Sequence, residues 1–245
     1  MSNDIESKLS IFGDKCEIND LINRSVGVGP WYFEDTVRVS LSDRDIRYFD
    51  LHQLIPVPPK HRWCGFGEPK TDSRRVRLNK HIDAVSELRD WQGKKWGSTY
   101  VLCDEPPTWR SGVATYSFWS GWDPPLAAVR SISKIYRACT FIISFGGEGD
   151  LVGRAIFREG KKLEVFFASD SDAPRYADED NGPTVDEEQM GDRWRGLMLN
   201  SHAKFVKQYQ AEPISVKDDY ATQYAAFTKR EAKRMAAGMK KKTEQ

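Results

Sequence analysis

The four histidines are the side chains of this sequence best suited to acid–base chemistry, because only histidine titrates near neutral pH without perturbation. They are dispersed along the chain, and none belongs to a His-x-x-x-His, Gly-x-Ser-x-Gly or Cys-His pattern; they are His52, His61, His81 and His202. One of them could be catalytic only if the fold brings it next to a partner that is distant in sequence. The sequence spacing identifies no such base or orienting residue. We therefore predict surface or packing roles for them, no catalytic residues, and a protein that is not an enzyme.

The cysteines are the next candidates for chemistry, and they too are far apart: Cys16, Cys64, Cys103 and Cys139. The absence of a Cys-x-x-Cys pair or a His-Cys cluster argues against structural zinc and against a disulfide scaffold. Reduced thiols in a cytoplasm are the simplest interpretation. No apolar run approaches the ~18 residues of a membrane span, and the N-terminus lacks the basic-then-apolar order of a signal peptide. We expect a cytoplasmic protein with no metal, no cofactor and no membrane partner.

A glycine-rich stretch at Gly146–Asp150 could cradle a phosphate through backbone N–H groups. It lacks the Lys-Ser/Thr of a P-loop and precedes a predicted strand, which favours a plain turn. Its acidic residues are too few for a calcium loop. A small-nucleotide site here is the third and least favoured functional alternative.

Basic residues concentrate between 60 and 80, where Arg74, Arg75 and Arg77 stand near Trp63 and Phe66. Arginine contacts to phosphate combined with aromatic stacking suit single-stranded nucleic acid. A solvated loop explains the same composition, because the overall charge is balanced at 37 basic against 36 acidic residues. Trp63, Phe66 and Trp109, all in predicted loops, are the candidate anchors for a protein interface.

The C-terminal end is basic as well, with Lys229, Arg230, Lys233 and Arg234 on a predicted helix that ends in three lysines. These cations suit an acidic protein surface or a phosphate backbone. They equally suit the negative end of a helix dipole, which favours basic residues at a helix C-terminus. The acidic stretch 169–181 is predicted to be a linker. Two less common alternatives are that it shields the basic patches or that it mimics nucleic acid.

Hydrophobic periodicity predicts the elements that must position these residues. We expect a strand and a helix up to residue 26, an apolar strand that stops at the prolines 56–59, and a helix around 82–91. Two strands, STYVLCD and GVATYSFW, should follow, joined by a loop EPPTWRSG; a helix capped by Asp123 should then lead to three strands, CTFIISF, LVGRAIFR and KLEVFFA. The class is α+β, with an antiparallel sheet and helices on one face.

Two further helices are predicted beyond the linker, from amphipathic stripes through Trp194 and Phe205 and through Tyr220 and Tyr224. The predicted organisation is an α+β domain over 1–168, an acidic linker over 169–185, and a helical appendage with a basic tail over 186–245. Whether the appended helices dock on the sheet is left open, as is the oligomeric state.

The stretches KKWGSTY and YSFWSGWDPP resemble the paired motifs of the YubB-type ferredoxin-like domain family of phage and plasmid accessory proteins. The similarity spans roughly residues 8–162, and it also covers FDLHQLIPVPP as a strand that ends in a proline-rich turn. Trp96 and Trp122 would then plug the interface between sheet and helix. The resemblance implies a ferredoxin-like sheet and a cytoplasmic accessory role, and no functional residues transfer from it.

These observations lead us to expect a non-catalytic phage or mobile-element protein that binds a host protein, plausibly to inhibit a defence system. The alternative is a nucleic-acid-binding accessory protein that uses the basic loop and the basic tail. The two differ in salt dependence, because nucleic-acid binding weakens steeply as salt rises.

Overall fold

The structure is a computed structural model, and it describes residues 4–28, 46–61, 86–147, 151–168 and 187–243. Its centre is strand β1 (Asp4–Gly13), which pairs antiparallel with β6 (Val113–Gly121) on one side and with β7 (Cys139–Gly147) on the other. Since both neighbours run opposite to β1, they are parallel to each other, and parallel strands need a crossover connection. Helix α4 (Leu126–Ile135) is that crossover.

The remaining strands extend the sheet on both sides, so that the described residues form a seven-stranded antiparallel sheet in the order β4-β6-β1-β7-β8-β9, with β5 also paired to β6. A separate two-stranded sheet pairs β2 with β3. The bounds of these strands are β2 (Gly27–Val28), β3 (Ile46–Arg47), β4 (Val101–Leu102), β5 (Thr108–Arg110), β8 (Val152–Arg158) and β9 (Lys161–Ala168). The predicted α+β class is confirmed, as are the three strands predicted after α4.

The helices are α1 (Lys15–Arg24), the short α2 (Leu51–Leu54), α3 over 86–95, α4, α5 (Glu187–Ala211) and α6 (Val216–Thr243), with a 3-10 turn at Pro59–His61. The α1 helix begins after Asp14, whose carboxylate accepts a hydrogen bond from the Glu17 amide at 2.9 Å and so satisfies one of the free N–H groups of the first turn. The helical character predicted for the C-terminal part is confirmed.

The main core lies on the side of the sheet that we call the first face, which carries Leu9, Ile11 and Phe141. Helices α1 and α4 cover it with the apolar residues of one stripe each, including Leu21 and Val129. Each fully buried side chain of this kind contributes about 1.5–3 kcal/mol of transfer free energy. This packing is the predicted arrangement of helices on one face of a sheet.

Helices α5 and α6 occupy the opposite side, which we call the second face. There Phe205 and Val206 of α5 and Val216 of α6 pack against Ile142 and Ile156 of the sheet. The C-terminal helices therefore dock on the sheet, and helices cover both of its faces. The predicted linker 169–185 lies outside the described residues.

Two tight hairpins in the sheet are type I′ turns, because both central residues have positive φ. Ser111 and Gly112 join β5 to β6, and Glu159 and Gly160 join β8 to β9. The second turn joins the strands predicted as LVGRAIFR and KLEVFFA. The first corrects the long loop expected over 105–112, since part of it forms β5 and places Trp109 in a strand.

Three local predictions are wrong. The stretch predicted to be a strand before the prolines forms α2, because Asp50 caps a helix by accepting from the His52 amide at 2.8 Å. The cap predicted for α4 at Asp123 is absent: the N-cap is Pro125, which makes no side-chain cap hydrogen bond. The reason is steric: Pro125 disfavours the helical conformation at Pro124, so the helix begins after Pro125 and not after Asp123.

The third error concerns Trp122. Trp96 is fully buried and its indole N–H donates to the Ile55 carbonyl at 3.1 Å, as a residue that plugs the interface should. Trp122 instead is 56% exposed, and its φ of 69° breaks the alternation of β6. The left-handed backbone at Trp122 takes it out of the core position that alternation predicts.

Candidate functional site

The predicted site residues fall into three groups in the structure. Trp109 lies on β5 and is 41% exposed. Lys229, Arg230 and Lys233 are exposed on α6, while the side chain of Arg234 lies outside the described part. The other candidates also lie outside the described residues: Trp63, Phe66, Arg74, Arg75 and Arg77.

A second exposed tryptophan, Trp119, lies on the second face of the sheet, where α5 leaves β6 open. Strand β6 alternates along this face through Thr115, Ser117 and Trp119, while Ala114, Tyr116 and Phe118 are buried on the first face. Helix α5 packs over β7, β8 and β1. Trp119 remains 44% exposed beside the covered half. Sequence reasoning missed it because it counted Trp119 as part of an architectural motif.

The neighbours of Trp119 follow from the strand register. Glu6 of β1 lies opposite Trp119 on one side, and Leu102 of β4 lies opposite it on the other. The ring of Tyr100 lies over Gly121, where any Cβ would overlap it, and its hydroxyl donates to the Asp4 carboxylate. We call the five side chains of this end of the second face the Trp119 surface: Asp4, Glu6, Tyr100, Leu102 and Trp119.

Charges of both signs surround this surface, because Arg195 of α5 packs on Gly146, the register neighbour of Glu6. Asp104 and Glu105 are exposed just beyond β4, and Asp123 is exposed two residues after Gly121. The nearest cation on the same face of β1, Lys8, donates its ammonium to the Leu199 carbonyl of α5 at 3.3 Å. Arg47 forms an ion pair with Asp104. Carboxylates and cations therefore both lie near the exposed ring of Trp119.

The covered half of the second face holds a polar network that the sequence analysis did not find. Arg154 of β8 is 1% exposed, and its guanidinium donates to Asp219 of α6 at 2.9 Å. It also donates to Ser144 at 2.7 Å and stacks over the Phe205 ring, with 4.1 Å to the centroid. A further N–H contacts Ser201 at 3.0 Å. Arg154 thereby ties β8 to both C-terminal helices.

The network continues through His202, which is fully enclosed between α5 and the sheet. Its Nδ1 lies 2.7 Å from Ser144 Oγ, and its Nε2 lies 2.8 Å from Ser10 Oγ. Since Ser144 accepts from Arg154, its own proton is available for Nδ1, so that Nε2 carries the imidazole proton and donates to Ser10. Ser10 lies 2.7 Å from Thr115 Oγ1, which ends the chain of hydrogen bonds.

The protonation states in this network follow from burial. Burial, reinforced by the positive charges of Arg154 and Lys8, holds the pKa of His202 well below its usual value, so the imidazole is neutral. Burial lowers the pKa of Arg154 to about 10 against the opposing effect of Asp219, which leaves it charged at neutral pH. A neutral histidine bonded on both nitrogens and shielded from solvent has a structural role, because no substrate can reach it.

One sequence signal could have revealed the network. Arg154 occupies the same face as Val152 and Ile156 within the apolar run LVGRAIFR. The alternation therefore predicts that this charged side chain is buried. Its partner Asp219 is 65 positions away, and no spacing rule connects the two. The remaining space beside them is a cavity of about 10 Å³ next to Asp219 and Tyr220, at the lower limit for one water.

The other candidate groups for chemistry are inert or separated in the described part of the chain. Burial raises the pKa of both Cys103 and Cys139 to about 12, which keeps them as thiols. His52 accepts from the Val57 amide at 3.0 Å, and His61 lies 3.8 Å from Glu87. Among the described residues, no group of three or more His, Cys, Asp or Glu side chains is arranged to hold a metal ion.

Gly146 and Gly147 end β7, and 148–150 lie outside the described residues, so the proposed phosphate loop stays a prediction. No described helix has both the length and the apolar composition that a membrane span requires.

Comparisons with known proteins give little. No protein-family profile matches the chain, and no curated protein matches it. A crystal structure of protein api92 from Yersinia pseudotuberculosis, of the family DUF1281, aligns with 75% of this chain and 100% of that one, at a TM-score of 0.40 and 9% identity. A likeness at this level carries no argument about fold or function.

Proposed function

We propose that this chain is a non-catalytic binding protein that holds another protein through exposed tryptophans of β5, of β6 and of the turn after β6. The observation behind the proposal is that Trp109, Trp119 and Trp122 are 41%, 44% and 56% exposed within one hairpin and the turn that follows it. Each tryptophan carries about 150–250 Å² of surface, and leaving so much apolar area in water is unfavourable. Truncation of tryptophan at protein interfaces typically gives the largest losses of affinity.

The strand order adds support for the resemblance stated from the sequence. The unit β6-α4-β7 places β1 between two parallel strands, and β4 and β5 flank β6 on its outer side. A ferredoxin-like sheet has this split arrangement, and β8 and β9 extend it. The resemblance implies an accessory role; our own proposal adds that the partner is a host protein whose occlusion inhibits a defence pathway.

The test is affinity capture of the tagged full-length chain from host lysate, with and without nuclease, in parallel with three alanine variants of Trp109, Trp119 and Trp122. A stoichiometric protein that survives nuclease and is lost with the tryptophan variants is the expected result. Leu163→Ala and Ile135→Ala are matched controls, because these apolar residues are 49% and 54% exposed elsewhere on the molecule. Capture that is unchanged in all three tryptophan variants would overturn the proposal.

A second candidate function, nucleic-acid binding, is favoured by one observation: Lys229, Arg230 and Lys233 are all exposed on α6. A protein that neutralises several phosphates releases counterions, so its affinity falls by orders of magnitude between low and physiological salt. Binding of an oligonucleotide that is lost in a variant with these three residues changed to alanine, with a steep salt slope, supports this function. Salt-insensitive or absent binding removes it.

A further inference from the structure

A cationic patch surrounds the turn between β8 and β9, in a part of the molecule that belongs to none of the sites described above. Five exposed side chains form this patch, which we call the Gly160 surface: Arg130, Lys134, Arg158, Lys161 and Lys162. Helix α4 supplies the first two of them, and the β8–β9 hairpin supplies the other three.

Direct contacts between α4 and the turn hold these cations together. The Nε of Arg130 donates to the Gly160 carbonyl at 2.9 Å. The side chain of Lys134 lies over Gly160, where an added Cβ would come within 3.0 Å of the Lys134 Cβ. Lys162 lies opposite Phe157 in the register and therefore on the first face, which α4 covers. Two elements thus build one patch.

The acids of the hairpin do not balance the positive charge of this surface. Glu159 lies in the turn itself and is 3.9 Å from Arg158, while the other four cations form no ion pair in the part of the chain that the structure describes. Glu164 lies opposite Ile156, on the second face, where it accepts from the Val216 amide at 2.8 Å. Its carboxylate therefore belongs to the start of α6.

The acids of the neighbouring helix α1 lie at the C-terminal end of α4. Asp20 accepts from the Tyr136 hydroxyl at 3.0 Å, and it lies 3.8 Å from Arg24, which offsets its charge. Glu17 accepts at 3.0 Å from the backbone amide that follows the exposed Arg137. Each of these carboxylates has a basic residue of its own nearby, so the Gly160 surface keeps a net positive charge.

The ordinary roles of surface cations explain only part of this patch. Strand β9 ends the sheet, and lysines on an edge strand discourage pairing with another chain, which accounts for Lys161 and Lys162. A cation in the last turn of a helix suits the helix dipole, which accounts for Lys134. Arg130 lies in the middle of α4, where neither reason applies, and its bond to Gly160 holds its guanidinium beside the lysines.

We propose that the Gly160 surface binds the phosphate backbone of double-stranded nucleic acid without reading its sequence. Lysine and arginine contacts to phosphate supply affinity through the release of counterions, and they carry no sequence information. Recognition of single strands relies on aromatic rings that stack on the bases, and neither α4 nor residues 158–163 contain an aromatic residue.

The composition of the patch also favours nucleic acid over an acidic protein. Three of its five cations are lysines, which are depleted at protein–protein interfaces, whereas protein–DNA interfaces are far more positively charged. The inference goes beyond the protein partner proposed above and uses none of the tryptophans. It shares its ligand with the second candidate function, but it places the contact on different residues.

The test measures binding of a labelled DNA duplex of about 20 base pairs to the full-length chain, by fluorescence anisotropy over a series of salt concentrations. Each neutralised phosphate contributes about −0.9 to the slope of log affinity against log salt. The double variant Lys134→Gln/Lys162→Gln should make the slope shallower by about 1.8 and should lower the affinity roughly tenfold at about 0.1 M salt. Lys94→Gln/Lys95→Gln is the matched control, because it removes two exposed cations of α3 and should leave the slope unchanged.

Three results would overturn the inference. The first is equal binding of the duplex by wild type and Lys134→Gln/Lys162→Gln, both shown to be folded by circular dichroism, or an equal loss in the two double variants. The second is duplex binding that is absent, or that is lost only when Lys229, Arg230 and Lys233 are changed to alanine. The third is binding of phosphatidylserine vesicles or of a captured acidic protein through Lys134 and Lys162 in place of the duplex. None of these variants alters a tryptophan, so capture of a host protein tests the proposed function separately.

Discussion

The two halves of the second face invert the usual distribution of side chains. Over β7 and β8 this face buries a charged arginine and a histidine beneath α5 and α6, whereas over β6 it leaves Trp119 in solvent. An unpaired buried charge costs several kcal/mol, so the covered half is stable only with Asp219 in place. The open half has no such constraint. The contrast separates a half shaped by the docking of the chain's own helices from a half available to a partner.

The largest expected effect on stability comes from removing the carboxylate of Asp219, the partner of Arg154 in the covered half. Asp219→Ala leaves Arg154 charged and unpaired, which should lower the free energy of unfolding by about 3–5 kcal/mol. Urea denaturation followed by circular dichroism measures this loss. Asp218→Ala is the matched control, because Asp218 is exposed in the same turn of α6 and should cost less than about 1 kcal/mol.

The double variant Arg154→Met/Asp219→Leu sharpens this prediction. Removing both charges should recover most of the stability, because a buried ion pair often gains little over apolar packing of similar volume. If Asp219→Ala is as stable as wild type, the ion pair does not hold the covered half together.

The difference between the halves also marks how far the sequence could predict the molecule. The alternating patterns of CTFIISF and LVGRAIFR were enough to predict β7 and β8, because strand periodicity is a local property. The buried network was not predictable, since it joins five residues from five elements: Ser10, Ser144, Arg154, His202 and Asp219. Trp119 was missed for another reason: whether a strand face is open depends on where a distant helix docks.

A second effect should appear in acid, through His202. The folded-state pKa of His202 lies below that of the unfolded chain, so the unfolded state binds more protons once the pH falls below about 6.5. The stability from this site is complete above that pH and is lost as the pH falls, by about 1.4 kcal/mol per unit. His202→Gln should show a shallower loss between pH 6.5 and 5 in urea titrations. Parallel pH profiles for the two proteins would contradict the buried neutral imidazole.

A smaller effect is expected at Gly121, which shapes the open half. A methyl group at this position overlaps the Tyr100 ring, so Gly121→Ala should cost about 1–3 kcal/mol as the ring is displaced. The displaced ring should also change the environment of the Trp119 indole N–H, which its nitrogen-15 chemical shift reports. Gly93→Ala is the control, because a Cβ there meets no atom within 4 Å. Equal stability of the two variants would show that the ring gives way at no cost.

The smallest effect on stability is expected from Trp119 itself, and this is what distinguishes a binding residue from a core residue. Trp119→Ala should change the free energy of unfolding by less than about 1 kcal/mol, because Trp119 is already 44% exposed in the folded chain. Trp96→Ala, which empties a fully buried site on the first face, should cost about 3–5 kcal/mol. Chemical denaturation of the two variants measures both values. If Trp119→Ala destabilised the fold as much as Trp96→Ala, Trp119 would belong to the structural core, and its loss would no longer report on partner binding.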